Sequence, residues 1–427
     1  MKKLFILFFI LITFSLHSQD AELRLSYLFS KNDFFKLKDE YKQLKEKTSK
    51  PMQLFIESYL CSYFNQPEEA NENIKSILAE YPDFLTAEHQ LNMALLLSDN
   101  ELKLQNYKNS ASIYAQLIEQ LTPYWDENSM KPYKSMYRLY NSLQNVKPME
   151  ISYLKYPHNT TISLKKDSVG LITLPVNSNN SVEKLDFILD FGAGFCVTEE
   201  KYADSLGIKI LADSIMSTTA IGTTVYFKIG VADEILIGNI KIKNVIFLLS
   251  SNKILDNLPQ SFASYEIYGI IGFPVLQILE KLTLTNSILT VSKSYNNSEY
   301  TSNMIICNNI LFVQVVSQND TLLMQFDSGT TNSYLTNRYL LKENAENLTM
   351  NSIKKGSVNG IKEFRVYKKQ NFSCRIGTKD IVIPLIDIYI DDLQTTSLPI
   401  DGVIGQDIMR ECKTITVDFK NMCINFD

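Results

Sequence analysis

Two aspartates lie in similar sequence surroundings, and a pair of carboxylates could do acid–base chemistry here. Asp190 lies in Leu-Asp-Phe-Gly at 189–192, and Asp327 lies in Phe-Asp-Ser-Gly at 326–329. Two carboxyl groups that face each other cannot both ionise easily, so they share a proton. Such a pair can accept a proton from water while it donates another to a carbonyl oxygen, which activates both partners of a hydrolysis.

The two aspartates belong to an internal repeat. They are 137 residues apart, Ile-Gly at 237–238 recurs 139 residues later, and Tyr-Gly-Ile-Ile-Gly at 268–272 corresponds to Asp-Gly-Val-Ile-Gly 133 residues later. Three blocks in one order at nearly one offset predict two copies of a β unit of about 135 residues. A pseudo-twofold relation between the copies would bring both aspartates to the interface between them, which we call the seam.

Composition excludes several other kinds of site. The formal charge of −5 provides no basic surface for nucleic acid. Of the three histidines, His17 lies in the N-terminal segment that is described below as a signal peptide. Neither a multi-histidine metal site nor a Ser-His-Asp triad is therefore expected. None of the six cysteines forms a Cys-x-x-Cys pair, and the sequence fixes no disulfide pairing. We therefore expect no metal, no cofactor and no nucleic-acid partner.

The chain begins with a secretory signal pattern. Lys2 and Lys3 precede an apolar run from Leu4 to Leu16, and Ser18 follows. This predicts a signal peptide over 1–18 and a periplasmic or extracellular protein. No later stretch is long enough to span a membrane, so no membrane span is expected in the mature chain.

Glycine content predicts the domain organisation. The first of the 15 glycines is Gly170, and a long glycine-free stretch favours packed helices. We predict a helical domain over 19–155, a β lobe over 156–295 and a second β lobe over 296–427, a multidomain α+β chain. We also expect 156–427 to fold without the helical domain.

The helical region contains three apolar stripes at helical spacing. They begin near Asp33, Pro67 and Tyr107, at spacings of 34 and 40 residues. These spacings weakly resemble tetratricopeptide-type hairpins, which stack into arrays. The resemblance implies that this domain could bind a protein partner through a concave face.

The doubled Asp-x-Gly block resembles the pepsin/retropepsin-like aspartic peptidases. Each block is followed some 75–80 residues later by Gly-[Ile/Val]-Ile-Gly, as in this family. The similarity covers about 160–427 and is greatest to the bilobal, exported bacterial retropepsin-like proteins. It implies an all-β, two-lobed fold and an aspartic endopeptidase with Asp190 and Asp327 as catalytic residues and a polypeptide as substrate.

The resemblance also implies roles for the neighbouring residues. Small residues and hydroxyls would support the dyad, an apolar-Gly segment would pack behind each loop, and a hairpin flap over Ala220–Phe227, turning at Gly222, would cover the substrate. The dyad-supporting residues are Gly192, Ser328, Gly329 and Thr331, and the packing residues are Ile271, Gly272, Ile404 and Gly405.

Phe191 departs from the family pattern. The family has Thr or Ser after each aspartate, and this hydroxyl ties the two loops together; Ser328 can do so, but Phe191 cannot. An apolar neighbour could raise the pKa of Asp190 and bias the shared proton towards it. We expect Ala193 and Gly194 to make room for the ring, and Phe191→Thr to be folded and at least as active. A catalytically inactive peptide- or protein-binding module on the same fold stays the alternative.

Overall fold

The computed structural model describes residues 19–154, 160–178, 181–219, 221–254, 266–295, 301–318, 320–341, 348–357, 360–391 and 398–427. The predicted signal peptide at 1–18 lies outside these residues. The chain divides into two compact units, Met1–Asn100 and Glu101–Asp427. No helix in the described residues is long and apolar enough to cross a membrane.

The region before residue 145 is helical, as the lack of glycine predicts. The described part of α1 covers 19–30. The six helices that follow are α2 (Phe34–Leu44), α3 (Lys50–Tyr63), α4 (Pro67–Glu80), α5 (Ala87–Lys103), α6 (Tyr107–Leu121) and α7 (Glu127–Leu143). The three predicted stripes lie on α2, α4 and α6.

Local signals define where these helices begin. The Asp33 side chain accepts a hydrogen bond from the Lys36 N–H, which caps α2. Pro67 occupies the first turn of α4, where its missing N–H removes no helical bond. In the first unit α3 packs along α4, and aromatic rings fill the space nearby: Phe34 and Tyr63 meet edge to face at 4.8 Å.

The described residues of the first β lobe form twelve strands and one short α-helix. The strands are β1 (Glu150–Tyr153), β2 (Thr160–Ser163), β3 (Lys165–Lys166), β4 (Ile172–Ser178), β5 (Ser181–Leu189), β6 (Cys196–Glu199), β7 (Ile208–Thr218), β8 (Thr224–Ile237), β9 (Ile240–Ser250), β10 (Gly269–Ile271), β11 (Lys281–Leu284) and β12 (Ile288–Ser292), and α8 covers Phe273–Ile278.

In the part of the second β lobe that the structure describes there are ten strands and two short α-helices. The strands are β13 (Met304–Cys307), β14 (Ile310–Ser317), β15 (Asp320–Phe326), β16 (Tyr334–Leu335), β17 (Thr349–Ser357), β18 (Gly360–Ile376), β19 (Lys379–Tyr389), β20 (Gly402–Ile404), β21 (Ile415–Asp418) and β22 (Cys423–Phe426), with α9 (Asn337–Leu340) and α10 (Gln406–Arg410).

Strand order confirms the internal repeat. The sheet of the first lobe contains the series β9-β6-β10-β5-β4, and the sheet of the second contains β19-β16-β20-β15-β14. In the first lobe β10 runs parallel to β5, with Ile271 beside Leu189. In the second β20 runs parallel to β15, with Ile404 beside Phe326. Each aspartate is therefore supported by an equivalent set of five strands, and it directly follows β5 in one lobe and β15 in the other.

A third sheet contains strands of both lobes. Its order is β2-β12-β11-β21-β22, so β11 of one lobe pairs with β21 of the other. In this antiparallel pair Leu282 lies opposite Val417, and both are fully buried. The Thr283 and Thr416 hydroxyls share a hydrogen bond of 3.3 Å. This sheet holds the lobes in a fixed relation, which any site at their seam requires.

Helices α6 and α7 pack on the sheet of the first lobe. The Met216 N–H of β7 donates to the Ser135 hydroxyl of α7 at 2.7 Å. One apolar core joins the two helices to β7 and β8, and its members include Tyr107, Leu139, Leu143, Ile215, Val225 and Phe227. The domain boundary at 155 stays a prediction, but these contacts change which fragment we expect to fold.

We predict that a 101–427 fragment folds and that a 156–427 fragment is less stable or insoluble. Removing α6 and α7 would expose the apolar side of β7 and β8, and exposed patches of this kind cause aggregation. Soluble yield and thermal unfolding of the two fragments would test this. Equal melting temperatures would show that the helices are dispensable.

Candidate active site

Asp190 and Asp327 occupy equivalent positions at the ends of equivalent strands. Asp190 follows β5, and its N–H donates to the Ile271 carbonyl at 3.0 Å; the Asp327 N–H donates to the Ile404 carbonyl at the same distance. Ile271 and Ile404 are both fully buried. Each aspartate is therefore held against a buried strand by one backbone bond.

Glycine lets the two loops meet. The N–H of Gly192 donates to Asp190 Oδ1, and the N–H of Gly329 donates to Asp327 Oδ1, both at 2.8 Å. A Cβ atom on Gly192 would lie 2.5 Å from Asp327 Cγ, and one on Gly329 would lie 2.4 Å from Asp190 Oδ2. No side chain fits at either position, because each loop touches the opposite carboxyl group.

The two packing glycines also occupy positions without room for a side chain. A Cβ atom on Gly272 would lie 2.2 Å from the Phe195 carbonyl oxygen, and one on Gly405 would lie 2.8 Å from the backbone carbon of Asn332. These contacts place the segments predicted to pack behind the aspartate loops directly against them.

Ser328 connects the lobes. Its buried hydroxyl accepts a hydrogen bond from the Phe191 N–H at 3.1 Å and donates one to the Leu189 carbonyl at 2.7 Å. The Ser328 carbonyl accepts a hydrogen bond from the buried Gln406 side chain at 2.8 Å. One hydroxyl thus bonds both backbone groups that flank Asp190.

The Phe191 ring crosses the seam. It is fully buried, and its centroid lies 5.1 Å from that of Phe326 on the opposite lobe, which in turn meets Phe426 at 6.0 Å. The ring thus packs on an aromatic residue of the opposite lobe, and the expectation that Ala193 and Gly194 make room for it stays a prediction. The packing of Phe191 on Phe326 replaces the hydroxyl that the family pattern has after the first aspartate.

Thr331 is less closely tied to the carboxyl groups than Ser328. Its hydroxyl accepts a hydrogen bond from the Asn332 side chain at 3.4 Å. In the described residues it makes no hydrogen bond to Asp327, whose carboxyl group instead accepts one from the Gly329 N–H at 2.8 Å. The structure brings Asp190, Asp327 and their glycines together and leaves the Thr331 hydroxyl outside this group.

The electrostatic environment distinguishes the two carboxyl groups, which are hydrogen-bonded to each other. Burial and then the charge of Asp327 raise the pKa of Asp190 well above its ordinary value. Burial also raises the pKa of Asp327, but the positive charge of Lys355 opposes that rise. These directions favour the shared proton on Asp190, as expected, and part of the asymmetry comes from Lys355.

The predicted flap is the hairpin of β7 and β8. The Thr219 N–H donates to the Thr223 carbonyl at 2.9 Å, and Gly222 has a φ of 75°, a conformation suited to glycine. Ala220 lies outside the described residues. The hairpin is present at the predicted place, with its turn at Gly222.

Sequence reasoning missed a second hairpin, formed by β17 and β18. Lys362 Nζ of this hairpin donates to the Ile221 carbonyl in the turn of the first, at 3.5 Å. The repeat offset of 137, applied to the predicted flap, would have located it. Two residues near the dyad were also missed, Tyr334 and Lys355; Tyr334 takes the place of Val197 in the repeat.

The described residues contain no group of three or more His, Cys, Asp or Glu that could hold a metal ion. All six cysteines are buried and have free thiols. The groups that the structure brings into contact at the seam are the two carboxyl groups.

These features define a two-lobed β fold with a carboxyl pair at its seam. In the chain this fold follows a helical region. Residues 174–275, from β4 to α8, match the family described as aspartyl protease. A comparison with curated proteins gave no match. The matched segment contains Asp190 and supports an aspartic-peptidase-like fold for the β region.

We now expect Phe191→Thr to be destabilised. Threonine could restore a hydrogen bond worth about 0.5–1.5 kcal/mol, but removal of a buried Phe side chain costs about 3–5 kcal/mol. Chemical denaturation would measure the difference, with Phe191→Leu as a milder, apolar control. An unchanged free energy of unfolding would contradict the packing role of the ring.

We predict that Asp190→Asn gains stability relative to the wild type as pH rises. Because the folded protein raises the pKa of Asp190, the wild type holds this proton more tightly when folded and loses stability as pH rises from about 3.9, the unfolded value. Asn has no such proton. Urea midpoints of both proteins between pH 4 and 8 would test this, and a constant difference would contradict it.

Proposed function

We propose that this protein is an aspartic endopeptidase in which the Asp190/Asp327 dyad activates water. The contact between two half-buried carboxyl groups, with a glycine of each loop against the opposite carboxyl, supports this best. The family match over 174–275 supports a peptidase of the aspartyl type. The substrate would be a polypeptide.

The difference in pKa assigns the two roles. Asp327, whose pKa rise Lys355 opposes, is the base that takes a proton from water. Asp190, whose pKa is raised further, is the acid that donates its proton to the scissile carbonyl oxygen. The water oxygen bonds to the carbonyl carbon to give a tetrahedral gem-diol. The C–N bond then breaks as the amine takes the proton held by Asp327, and one gem-diol hydroxyl returns a proton to Asp190 as the carboxylic acid product forms.

The N–H donors of Gly192 and Gly329 hold the carboxyl groups in a fixed orientation. Ser328 fixes the backbone on both sides of Asp190. These groups are preorganised, so little reorganisation is needed during the reaction. Because Ser328 retains its inter-lobe bonds, the loss of a hydroxyl at Phe191 leaves the dyad in contact.

We further propose that the chain is exported, on the support of the basic and apolar residues in 1–18. A protein partner for the helical region is also a proposal, and it rests on the weak tetratricopeptide-like spacing of the stripes. Cell fractionation of the full chain would test export.

We predict that Asp190→Asn and Asp327→Asn each lower kcat by roughly 10²- to 10⁴-fold, the usual contribution of a general acid or base. The measurement is cleavage of an unstructured protein from acidic to neutral pH, with and without a transition-state-analogue inhibitor. Asp186→Asn is a matched control, because Asp186 lies on the same strand in an exposed ion pair with Lys165.

Full activity in either dyad variant would contradict the assignment. If the wild type binds unstructured peptides but never cleaves them, the protein is the binding module instead.

A further inference from the structure

Lys355 lies on the inner face of the second hairpin. Residues 351, 353 and 355 of β17 are half-buried, while 352, 354 and 356 are exposed, as expected for a strand with one covered face. The Lys355 Nζ atom lies 3.8 Å from the centroid of the Tyr334 ring. The charge of Asp327 acts on both Lys355 and Tyr334, so Lys355 lies beside the dyad.

No described carboxylate forms a salt bridge with this ammonium group. Its neighbours are the rings of Tyr334 and Tyr389, at 3.8 and 5.5 Å. Burial lowers the pKa of Lys355 to about 8, so it is still largely charged at neutral pH. A desolvated cation without a directly bonded anion is costly, and a ligand that supplies the anion would offset this cost.

The hairpin carries a second cation next to the first. Lys362 is the direct cross-strand partner of Lys355, so both side chains are on one face of the hairpin. With Asp190 protonated, the positive charges of Lys355 and Lys362 outnumber the single negative charge of Asp327. Because Coulomb energy falls with distance, an anion in contact with Lys355 gains more from it than it loses to the more distant Asp327.

We propose that Lys355 binds a carboxylate group of the substrate and so determines which polypeptides the site accepts. This rests on the proposed function, because it names a substrate feature of the same site. The carboxylate can come from an acidic side chain near the scissile bond or from the C-terminus of a peptide.

Binding of labelled peptides to the full chain carrying Asp190→Asn tests the proposal. In this variant the side chain at position 190 is neutral and Asp327 is charged. Decapeptide amides with one Glu at successive positions are compared with the same peptides containing Gln, by fluorescence anisotropy. At one position we expect Glu to bind about 10- to 100-fold more tightly than Gln, the range for a charge-assisted bond. Free-acid and amide forms of each peptide test the C-terminal source.

Added to that variant, Lys355→Met should bring the Glu/Gln ratio close to one, and Lys355→Arg should preserve it. Lys354→Met is the matched control, because Lys354 is exposed on the opposite face, and it should leave the ratio unchanged. Peptide binding without any preference for Glu or the free acid would overturn the proposal about Lys355 and leave the proposed function untouched. A preference that survives Lys355→Met would have the same meaning. Failure to bind any peptide would contradict the proposed function as well.

Discussion

The structure depends on holding two half-buried carboxyl groups in contact at the seam between the lobes, where they cannot both ionise easily. Burial and mutual repulsion both oppose ionisation of Asp190, so the pair stays together by sharing a proton and by accepting bonds from the loop glycines. Gly192 and Gly329 leave no space for a side chain, and the sheet that pairs β11 with β21 fixes the distance between the lobes. Every other feature of the seam serves this contact.

The seam is symmetric in its backbone and asymmetric in its side chains. Equivalent backbone bonds hold both aspartates, but Ser328 and Gln406 on one side correspond to Phe191 and Phe273 on the other. The first pair forms a polar chain to the loop, whereas both phenylalanines are fully buried. The proposed mechanism needs one acid and one base, and this asymmetry, with Lys355 on one lobe only, would separate the two roles.

Much of the fold could be predicted because its signals are local or repeated. The lack of glycine before Gly170 indicates helices, and three blocks at one offset indicate two equivalent lobes. The contact of α6 and α7 with β7 and β8 could not be predicted, since amphipathic helices show which face is buried but not what covers it. Lys355 was missed for a related reason: only the folded hairpin of β17 and β18 places its ammonium group 3.8 Å from the Tyr334 ring.

Phe191 shows how an inter-lobe connection can change in chemistry and keep its function. Two hydroxyls would tie the loops by directional bonds, each worth about 0.5–1.5 kcal/mol net. Here one hydroxyl remains, and on the other lobe the buried Phe191 ring contacts Phe326. This apolar contact contributes a larger free energy than one hydrogen bond, but it is less directional. The ring can hold the lobes together, but it cannot orient a carboxyl group. Orientation at the Asp190 side therefore depends on the Gly192 N–H and on the Ser328 hydroxyl, which bonds the backbone before and after Asp190.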